Sequence, residues 1–176
     1  NYDSLTEKNI KNIFRIYNYS NYIIIKNLLN KGLTNSKNII LKKIDTPFVA
    51  FLDDDIILSK NYYFYLINLL TKKKALGASG VISNLDTEYF KNLFHFLFSY
   101  GIFKDNRKYY LNKKKIVKET HYIAGGISIY RKDIFKKNKF ETKYAFHNYE
   151  DVSFCNSVKK NNNKAKFLVS NYTSAF

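Results

Sequence analysis

The sequence predicts an α/β fold, because segments with the pattern of strands alternate along the chain with segments that have the pattern of helices. The clearest strand is Phe48–Leu52, an aromatic and β-branched run that follows Pro47. Residues 76–83 and 121–130 have similar strand character, and segments with helical spacing of apolar residues lie between such runs. We therefore expect a sheet flanked by helices.

The individual elements are expected in the following order. A helix over residues 5–17 precedes a short strand over 22–26, and a loop over 30–38 leads into a helix that ends near Lys43. The later elements are the strand over 48–52, a helix over 61–71, a strand over 76–83, an ambiguous apolar run over 93–103, an irregular or hairpin-like segment over 104–118, a strand over 121–130, a short helix over 131–137, a helix over 150–160 and a last strand over 166–170.

The composition suits a single domain over residues 1–176. The chain is 45% hydrophobic and 18% aromatic, which is too apolar for a disordered segment and enough for a hydrophobic core. Its single cysteine, Cys155, excludes an internal disulfide and fits a reducing compartment. No apolar run approaches the roughly 18 residues that a transmembrane helix requires.

The net charge of +16 has two interpretations. A basic surface attracts anionic lipids, nucleotide phosphates or nucleic acid. Alternatively, the excess of lysine, asparagine, isoleucine and tyrosine reflects an AT-rich genome, which explains the scattered distribution better. Specific nucleic-acid binders concentrate arginine for bidentate contacts, and the chain has only Arg15, Arg107 and Arg131. We therefore expect no nucleic-acid partner.

Asp53, Asp54 and Asp55, here called the acidic triplet, come directly after the strand at 48–52. Three adjacent carboxylates repel one another, so folding alone gives no reason to place them there. Hard divalent cations take oxygen ligands, and the ligand crevice of an open α/β sheet lies at the carboxyl ends of its strands. The triplet therefore indicates an Mg²⁺ or Mn²⁺ site, with a polar loop leaving the strand as the alternative.

Two further pairs of residues have both a structural and a functional interpretation. Glu150 and Asp151, the acidic pair, open the helix at 150–160, where acids gain about 0.3–1 kcal/mol from the helix macrodipole. They are also placed to act on a substrate. Gly125 and Gly126, the glycine pair, either let the backbone approach a substrate closely or mark a bulge in a strand.

In order and spacing, these motifs resemble the family 2 glycosyltransferases, which have the GT-A fold. The resemblance covers residues from about 30 to 169. It includes the N-x-G segment that begins at Asn30 and ends in Lys37-Asn38, the strand that ends in the acidic triplet, the strand that carries the glycine pair, and the acidic pair. It implies a mixed, Rossmann-like sheet flanked by helices and incomplete at its N-terminus.

The resemblance also implies a role for each motif. Asp55, together with Asp53, would coordinate the Mn²⁺ or Mg²⁺ that bridges the diphosphate of the donor. Asp151 would be the base that takes the proton from the acceptor hydroxyl, and Glu150 would support it or contact the acceptor. The residues expected to contact the donor are Asp53, Asp54, Lys37, Asn38, Gly125 and Gly126.

The implied activity is the inverting transfer of a sugar from a nucleotide-diphosphate sugar to a hydroxyl of a glycan or lipid-linked acceptor. The expected setting is bacterial surface-polysaccharide synthesis, in the cytoplasm, with peripheral contact at the inner face of the membrane. Two other classes stay open. One is another metal-dependent nucleotidyl- or phosphotransferase, and the other is a non-catalytic basic module that binds nucleic acid or anionic lipid.

Two further features are the start of the given sequence and an apolar run that could contact the acceptor. The chain begins at Asn1 and contains no methionine, so we expect an internal fragment that lacks the first strands of the nucleotide-binding half. The apolar run over 93–103 contains five aromatic residues and precedes Lys104, Arg107 and Lys108. It is either a core element or a surface that contacts the acceptor or the membrane.

Overall fold

The computed structural model describes residues 4–26, 32–83, 115–144 and 149–176. Within these ranges the chain forms one five-stranded mixed sheet with helices packed on it. The helices are α1 (Ser4–Ile16), α2 (Leu33–Leu41), α3 (Tyr62–Lys73) and α4 (Glu150–Asn161). The strands are β1 (Phe48–Leu52), β2 (Gly77–Ile82), β3 (Val117–Thr120), β4 (Ile127–Arg131) and β5 (Phe167–Ala175), and two short 3-10 helices span Lys132–Lys136 and Thr142–Tyr144.

The strand order is β1-β4-β2-β5-β3. Strand β4 is antiparallel to both β1 and β2, while β2 and β5 are parallel. In the pairing of β1 with β4, Leu52 lies opposite Ile127. The carboxyl end of β1 therefore lies beside the amino end of β4, and this register determines which residues meet at that edge of the sheet.

The sheet is buried on both faces. Along β5, Phe167 and Val169 pack on the same side as α4, whereas Leu168 packs on the side of α3, as the two-residue period of a strand requires. Helix α3 contributes Leu66 and Leu70, both completely buried, and α4 contributes Phe154, whose ring stacks 4.4 Å from that of Phe140. Packing on both faces of the sheet therefore holds its central strands in place.

Several predicted elements are confirmed. The strand at Phe48–Leu52 has the expected bounds, and the helix expected over 150–160 is α4. The helix expected over 61–71 is α3, and the strand expected over 76–83 is β2. These elements have strong local patterns, so the sequence alone places them within one or two residues.

Other predicted elements differ from the structure. Residues 22–26 form no strand, and β4 begins at Ile127 because residues 121–126 form a bend and a turn. Helix α2 begins within the segment expected to be a loop, directly after Gly32, whose φ of 80° suits glycine. Its polar residues are helical because Thr34, Lys37 and Leu41 share one buried face.

The C-terminal strand is longer than predicted. Strand β5 continues to Ala175 because its end acquires backbone partners from a distant segment. Ile57 and Phe176 exchange two backbone hydrogen bonds of 3.0 and 2.9 Å, and Leu58 bridges Ala175. The apolar run over 93–103 and most of 104–118 lie outside the described residues, although residues 117–118 belong to β3. None of the helices in the described ranges combines the length and apolar character needed to cross a bilayer.

Candidate active site

A pocket of about 400 Å³ lies where the end of β1, the turn before β4 and the start of α4 meet. We call it the central pocket. Six of the residues that the sequence assigns to a site line it together. Its full lining is Leu33, Lys37, Asp53, Tyr122, Gly125, Gly126, Tyr149, Glu150, Asp151 and Val152. Asn38, Asp54 and Asp55 do not line it.

The register of β1 and β4 brings Asp53 to the glycine pair. The backbone N–H of Asp53 donates to the carbonyl of Gly126 at 3.0 Å, one residue beyond the Leu52–Ile127 pair. A Cβ on Gly126 would collide with the carboxylate of Asp53. Glycine at 126 therefore lets the Asp53 carboxylate lie against the turn, and a larger residue would displace it. Both glycines lie in the turn before β4, so a bulge inside a strand is not their role.

The rest of the acidic triplet continues into an exposed turn. Asp53, Asp54 and Asp55 are all exposed, and the last two form the turn that follows β1. Tyr63 from α3 lies behind this end of β1, and its hydroxyl donates to the carbonyl of Phe51 at 3.3 Å. Burial, together with the negative charge of nearby Asp53, raises the pKa of Tyr63 to about 12. Tyr63 is thus a neutral hydrogen-bond donor under the triplet.

The donor set of the triplet fits a cation that arrives with a phosphate ligand. Among the described residues, no three His, Cys, Asp or Glu side chains are grouped closely enough to hold a metal ion by themselves. Mg²⁺ in nucleotide sites is usually bound by one or two carboxylates, several waters and the substrate phosphates. Asp53 and Asp55 are the side chains that would supply the carboxylates here.

The part of the central pocket that α2 and the start of α4 line contains a buried ion pair. Lys37 Nζ lies 3.0 Å from Glu150 Oε1, and the two side chains are only 6% and 8% exposed. The ammonium group also lies 5.2 Å from the ring centroid of Phe51 and 5.1 Å from that of Phe140. Since an unpaired charge at such a site would be costly, each partner makes the burial of the other tolerable.

Asp151 is oriented by the backbone on both sides. Its Oδ2 accepts a hydrogen bond from the N–H of Gly125 at 3.1 Å, and its Oδ1 accepts one from the N–H of Val152 at 2.7 Å. Asp151 is half-buried in the first turn of α4 and faces the central pocket. A carboxylate held in this way is placed to accept a proton from a group bound in the pocket.

Asn38 lies next to Lys37 in sequence but acts elsewhere. Its side-chain amide donates to the carbonyl of Phe140 at 2.8 Å, and the N–H of Phe140 donates back to Asn38 Oδ1 at 3.1 Å. Consecutive residues of a helix point about 100° apart, so only one of the two can face the pocket. In the described structure Asn38 fastens α2 to the segment that contains Phe140.

Two tyrosines and two aliphatic residues also line the central pocket, and none of them was expected from the sequence. Tyr149 directly precedes the acidic pair, and this adjacency is a signal that could have identified it. Tyr122 is nearly buried and comes shortly before the glycine pair. Leu33 and Val152 have no sequence signal of their own, because their position depends on where α2 and α4 begin.

The central pocket is acidic although the chain as a whole is strongly basic. Its described lining includes the carboxylates of Asp53, Glu150 and Asp151, while the one basic residue of the lining, Lys37, is paired with Glu150. A polyanionic ligand such as a diphosphate would be repelled by this lining unless a cation accompanied it. The charge of the site therefore favours a metal-bound phosphate ligand.

Comparison with known families gives one match. The sequence pattern described as "Glycosyl transferase family 2" matches residues 3–138, more than half of the chain. The match ends before the acidic pair, so Glu150 and Asp151 are placed by the structure and not by the pattern. No curated protein matches the sequence.

Comparison with solved structures shows where the same fold occurs. GalNAc-T7 with UDP, GalNAc and Mn²⁺ has a TM-score of 0.69 at 15% identity, over 99% of this chain and 35% of that one. S. aureus TarS 1-349 in complex with UDP-GlcNAc has a TM-score of 0.60 at 16% identity, over 96% and 46%. A197 from STIV has a TM-score of 0.51 at 16% identity, over 92% and 74%. The chain thus spans less than half of the GalNAc-T7 and TarS chains, and identities this low show the fold alone.

Proposed function

The chain belongs to glycosyl transferase family 2 and has the GT-A fold, and on this basis we propose that it carries the reaction site of a metal-dependent, inverting glycosyltransferase. In this proposal the enzyme moves a sugar from a nucleotide-diphosphate sugar to an acceptor hydroxyl. The observation that supports it most is the glycine pair. Gly126 contacts Asp53 and Gly125 contacts Asp151, so a single turn joins the two acidic clusters across the central pocket.

The proposed reaction is a single displacement. Asp151 takes the proton from the acceptor hydroxyl while the acceptor oxygen forms a bond to the anomeric carbon. The bond from that carbon to the diphosphate oxygen breaks, and its electron pair leaves with the nucleoside diphosphate. Because attack and departure occur on opposite faces of the carbon, the configuration inverts. A cation held by Asp53 and Asp55 would neutralise the charge that grows on the leaving group.

The ligands of similar structures agree with this choice of donor and cofactor. GalNAc-T7 was solved with UDP, GalNAc and Mn²⁺, and TarS was solved with UDP-GlcNAc. We therefore propose a nucleotide-sugar donor and Mn²⁺ or Mg²⁺ for this chain. A glycan or lipid-linked acceptor, a role in bacterial surface polysaccharide and a peripheral cytoplasmic location at the membrane are proposals that depend on the sequence alone.

The test is to identify the products formed from nucleotide sugars. The protein should release nucleoside diphosphate from a UDP-sugar in Mn²⁺ or Mg²⁺, and EDTA should stop the release. Asp151→Asn should also stop it, whereas Asp133→Asn, which removes an exposed acid beside Arg131, should not. Release of sugar 1-phosphate or of nucleoside monophosphate instead would indicate a nucleotidyl- or phosphotransferase. Salt-sensitive binding of polyanions without any turnover would indicate a basic binding module.

A further inference from the structure

We propose that Lys37 is a positioning residue, which holds Glu150 beneath Gly125 and thereby fixes the backbone N–H that orients Asp151. This inference rests on the proposed function, since it assigns Asp151 as the base. It differs from the role that the family resemblance implies for Lys37, which is direct contact with the nucleotide.

The ammonium group of Lys37 is already in contact with groups of the protein. Lys37 Nζ lies 3.0 Å from Glu150 Oε1, with both side chains more than nine-tenths buried. The aromatic rings of Phe51 and Phe140 lie 5.2 and 5.1 Å from the same nitrogen. Because the Lys37 side chain is only 6% exposed, these three neighbours surround most of its ammonium group, and any movement of Lys37 away from Glu150 would leave a buried, unpaired carboxylate.

The ion pair packs directly against Gly125. A Cβ built on Gly125 would lie 3.0 Å from Glu150 Oε1 and 3.2 Å from Lys37 Nζ. The backbone at Gly125 therefore lies directly against the pair, and a side chain there would push the two charged groups back by a few tenths of an ångström. Its N–H in turn donates to Asp151 Oδ2 at 3.1 Å. A continuous set of contacts thus leads from α2 to the carboxylate that faces the pocket.

The ion pair of Lys37 and Glu150 is not explained by stability. A buried ion pair is often no more stabilising than well-packed apolar residues of similar volume. Stability alone therefore does not require Lys37 and Glu150. Their hydrogen-bonded geometry fixes the position of the Gly125 backbone relative to α2 and α4. Two flexible apolar side chains would not fix it. This difference makes a positioning role separable from a purely structural one.

The experiment replaces the pair by two apolar side chains in Lys37→Met/Glu150→Met. The double variant avoids the unpaired buried charge that a single replacement would leave. We expect its thermal midpoint to stay close to that of the wild type and its donor KM to change by less than about twofold. We expect kcat to fall on the order of 10²-fold, the usual cost of misplacing a reacting group by about 1 Å.

The control is Lys11→Met/Glu7→Met, which removes the 2.6 Å ion pair of Lys11 with Glu7 on α1 and, with it, the pairing of Glu7 with Lys26; the Lys11 and Glu7 side chains are 56% and 20% exposed. It should leave kcat and donor KM unchanged. A kcat of the central double variant within about twofold of wild type would overturn the proposal and make the pair purely structural. A raised donor KM with kcat unchanged would also overturn it, because Lys37 would then be a donor contact.

If the double variant does not fold, kcat and donor KM are measured for Lys37→Arg instead. It retains the charge but changes the geometry of the pair, so kcat should fall while donor KM stays the same. An unchanged kcat in Lys37→Arg would overturn the proposal.

Amide hydrogen exchange at Gly125 separates this inference from the proposed function, because it requires no activity. The Gly125 amide should exchange slowly in the wild type and at least about tenfold faster in Lys37→Met/Glu150→Met, since each 1.4 kcal/mol of lost protection is a factor of ten. The α1 control should leave it unchanged. A wild type that exchanges in this way but transfers no sugar would refute the proposed function alone. Unchanged exchange in the double variant would refute the positioning role alone.

Discussion

The acidic triplet after β1 contributes Asp53 to the central pocket and the acidic pair at the start of α4 contributes both of its residues, but the two clusters are held in different ways. All three residues of the triplet are exposed, and Asp54 and Asp55 lie in an open turn. In the acidic pair, Glu150 is buried against Lys37, and Asp151 accepts hydrogen bonds from two backbone N–H groups. One cluster is therefore hydrated and accessible, whereas the other is fixed before any ligand arrives.

This difference corresponds to the two tasks of the proposed reaction. A cation and its diphosphate enter and leave in each cycle, so their carboxylate ligands gain from staying in contact with water. A base acts on one atom of the bound acceptor, so it gains from a fixed orientation that costs no reorganisation during the reaction. In this division of tasks, the acidic triplet binds the cation and its diphosphate, and the acidic pair supplies a base that is fixed in advance.

The largest effect is expected for Asp151→Asn. The amide cannot accept a proton, so kcat should fall by roughly 10²–10⁴-fold, the usual contribution of a positioned base. The affinity for nucleoside diphosphate should stay nearly unchanged because the triplet is intact. Steady-state kinetics measure both quantities. A turnover within a few-fold of wild type would mean that Asp151 is only an acid at the start of a helix.

The two glycines should report on the two clusters separately. In Gly126→Ala the new Cβ displaces the Asp53 carboxylate, and we expect the metal-dependent affinity for UDP to fall about tenfold, which is a loss of about 1.4 kcal/mol of binding free energy. In Gly125→Ala the new Cβ meets Glu150 and Lys37, so kcat should fall and UDP affinity should not.

Titration calorimetry and kinetics on these two variants sharpen the comparison. The division of tasks would be contradicted if both variants lost UDP affinity equally, or if Gly126→Ala lost turnover with its UDP affinity intact. In either case the turn would act as a single unit and not as a boundary between two clusters.

The smallest effect concerns Cys155, which lies on α4 behind the acidic pair and is completely buried. Burial, together with the charge of Asp151, raises the pKa of this thiol to about 12. At pH 8 the native thiol should react with a disulfide reagent on the order of 10³-fold more slowly than an exposed cysteine, whose pKa is about 8.5. Unfolding in guanidinium should restore ordinary reactivity. Rapid reaction in the native protein would show that α4 does not hold the acidic pair rigidly.

Ionisation of the Cys155 thiol should also lower the stability of the folded protein at alkaline pH. Because its folded pKa lies above the unfolded value, the stabilisation is complete below about pH 8.5 and is lost as the pH rises towards 12. Cys155→Ala should therefore show a smaller loss of stability between pH 9 and 11 than the wild type. Equal losses in the two proteins, measured by thermal unfolding, would contradict the assignment.

The parts of the fold that the sequence predicts are those specified by local patterns. The strand Phe48–Leu52 is a continuous apolar run, and α3 and α4 have helical periodicity with clear limits. Residues 22–26 show why such patterns can mislead. They contain three consecutive isoleucines, but strand propensity depends on a pairing partner, and in the described part of the chain this segment joins no strand.

The candidate site is predicted only in part, because its geometry depends on contacts between distant residues. The acidic triplet, the glycine pair and the acidic pair are all visible as motifs. The pairing of Lys37 with Glu150 joins positions 113 residues apart and has no local signal. The contact of Asp53 with Gly126 likewise depends on the register of β1 against β4. The sequence thus indicates which residues are candidates for the site but not which of them touch.

The most direct test of the division between the clusters is calorimetry of nucleoside diphosphate binding with and without Mn²⁺, using Asp55→Asn and Asp151→Asn. Asp45→Asn, an exposed acid before the other end of β1, serves as the control. We predict that Asp55→Asn loses the Mn²⁺-dependent part of the affinity, while Asp151→Asn and the control retain it. Metal-independent binding of equal strength in the wild type and Asp55→Asn would contradict the account, as would loss of the Mn²⁺ dependence in Asp151→Asn.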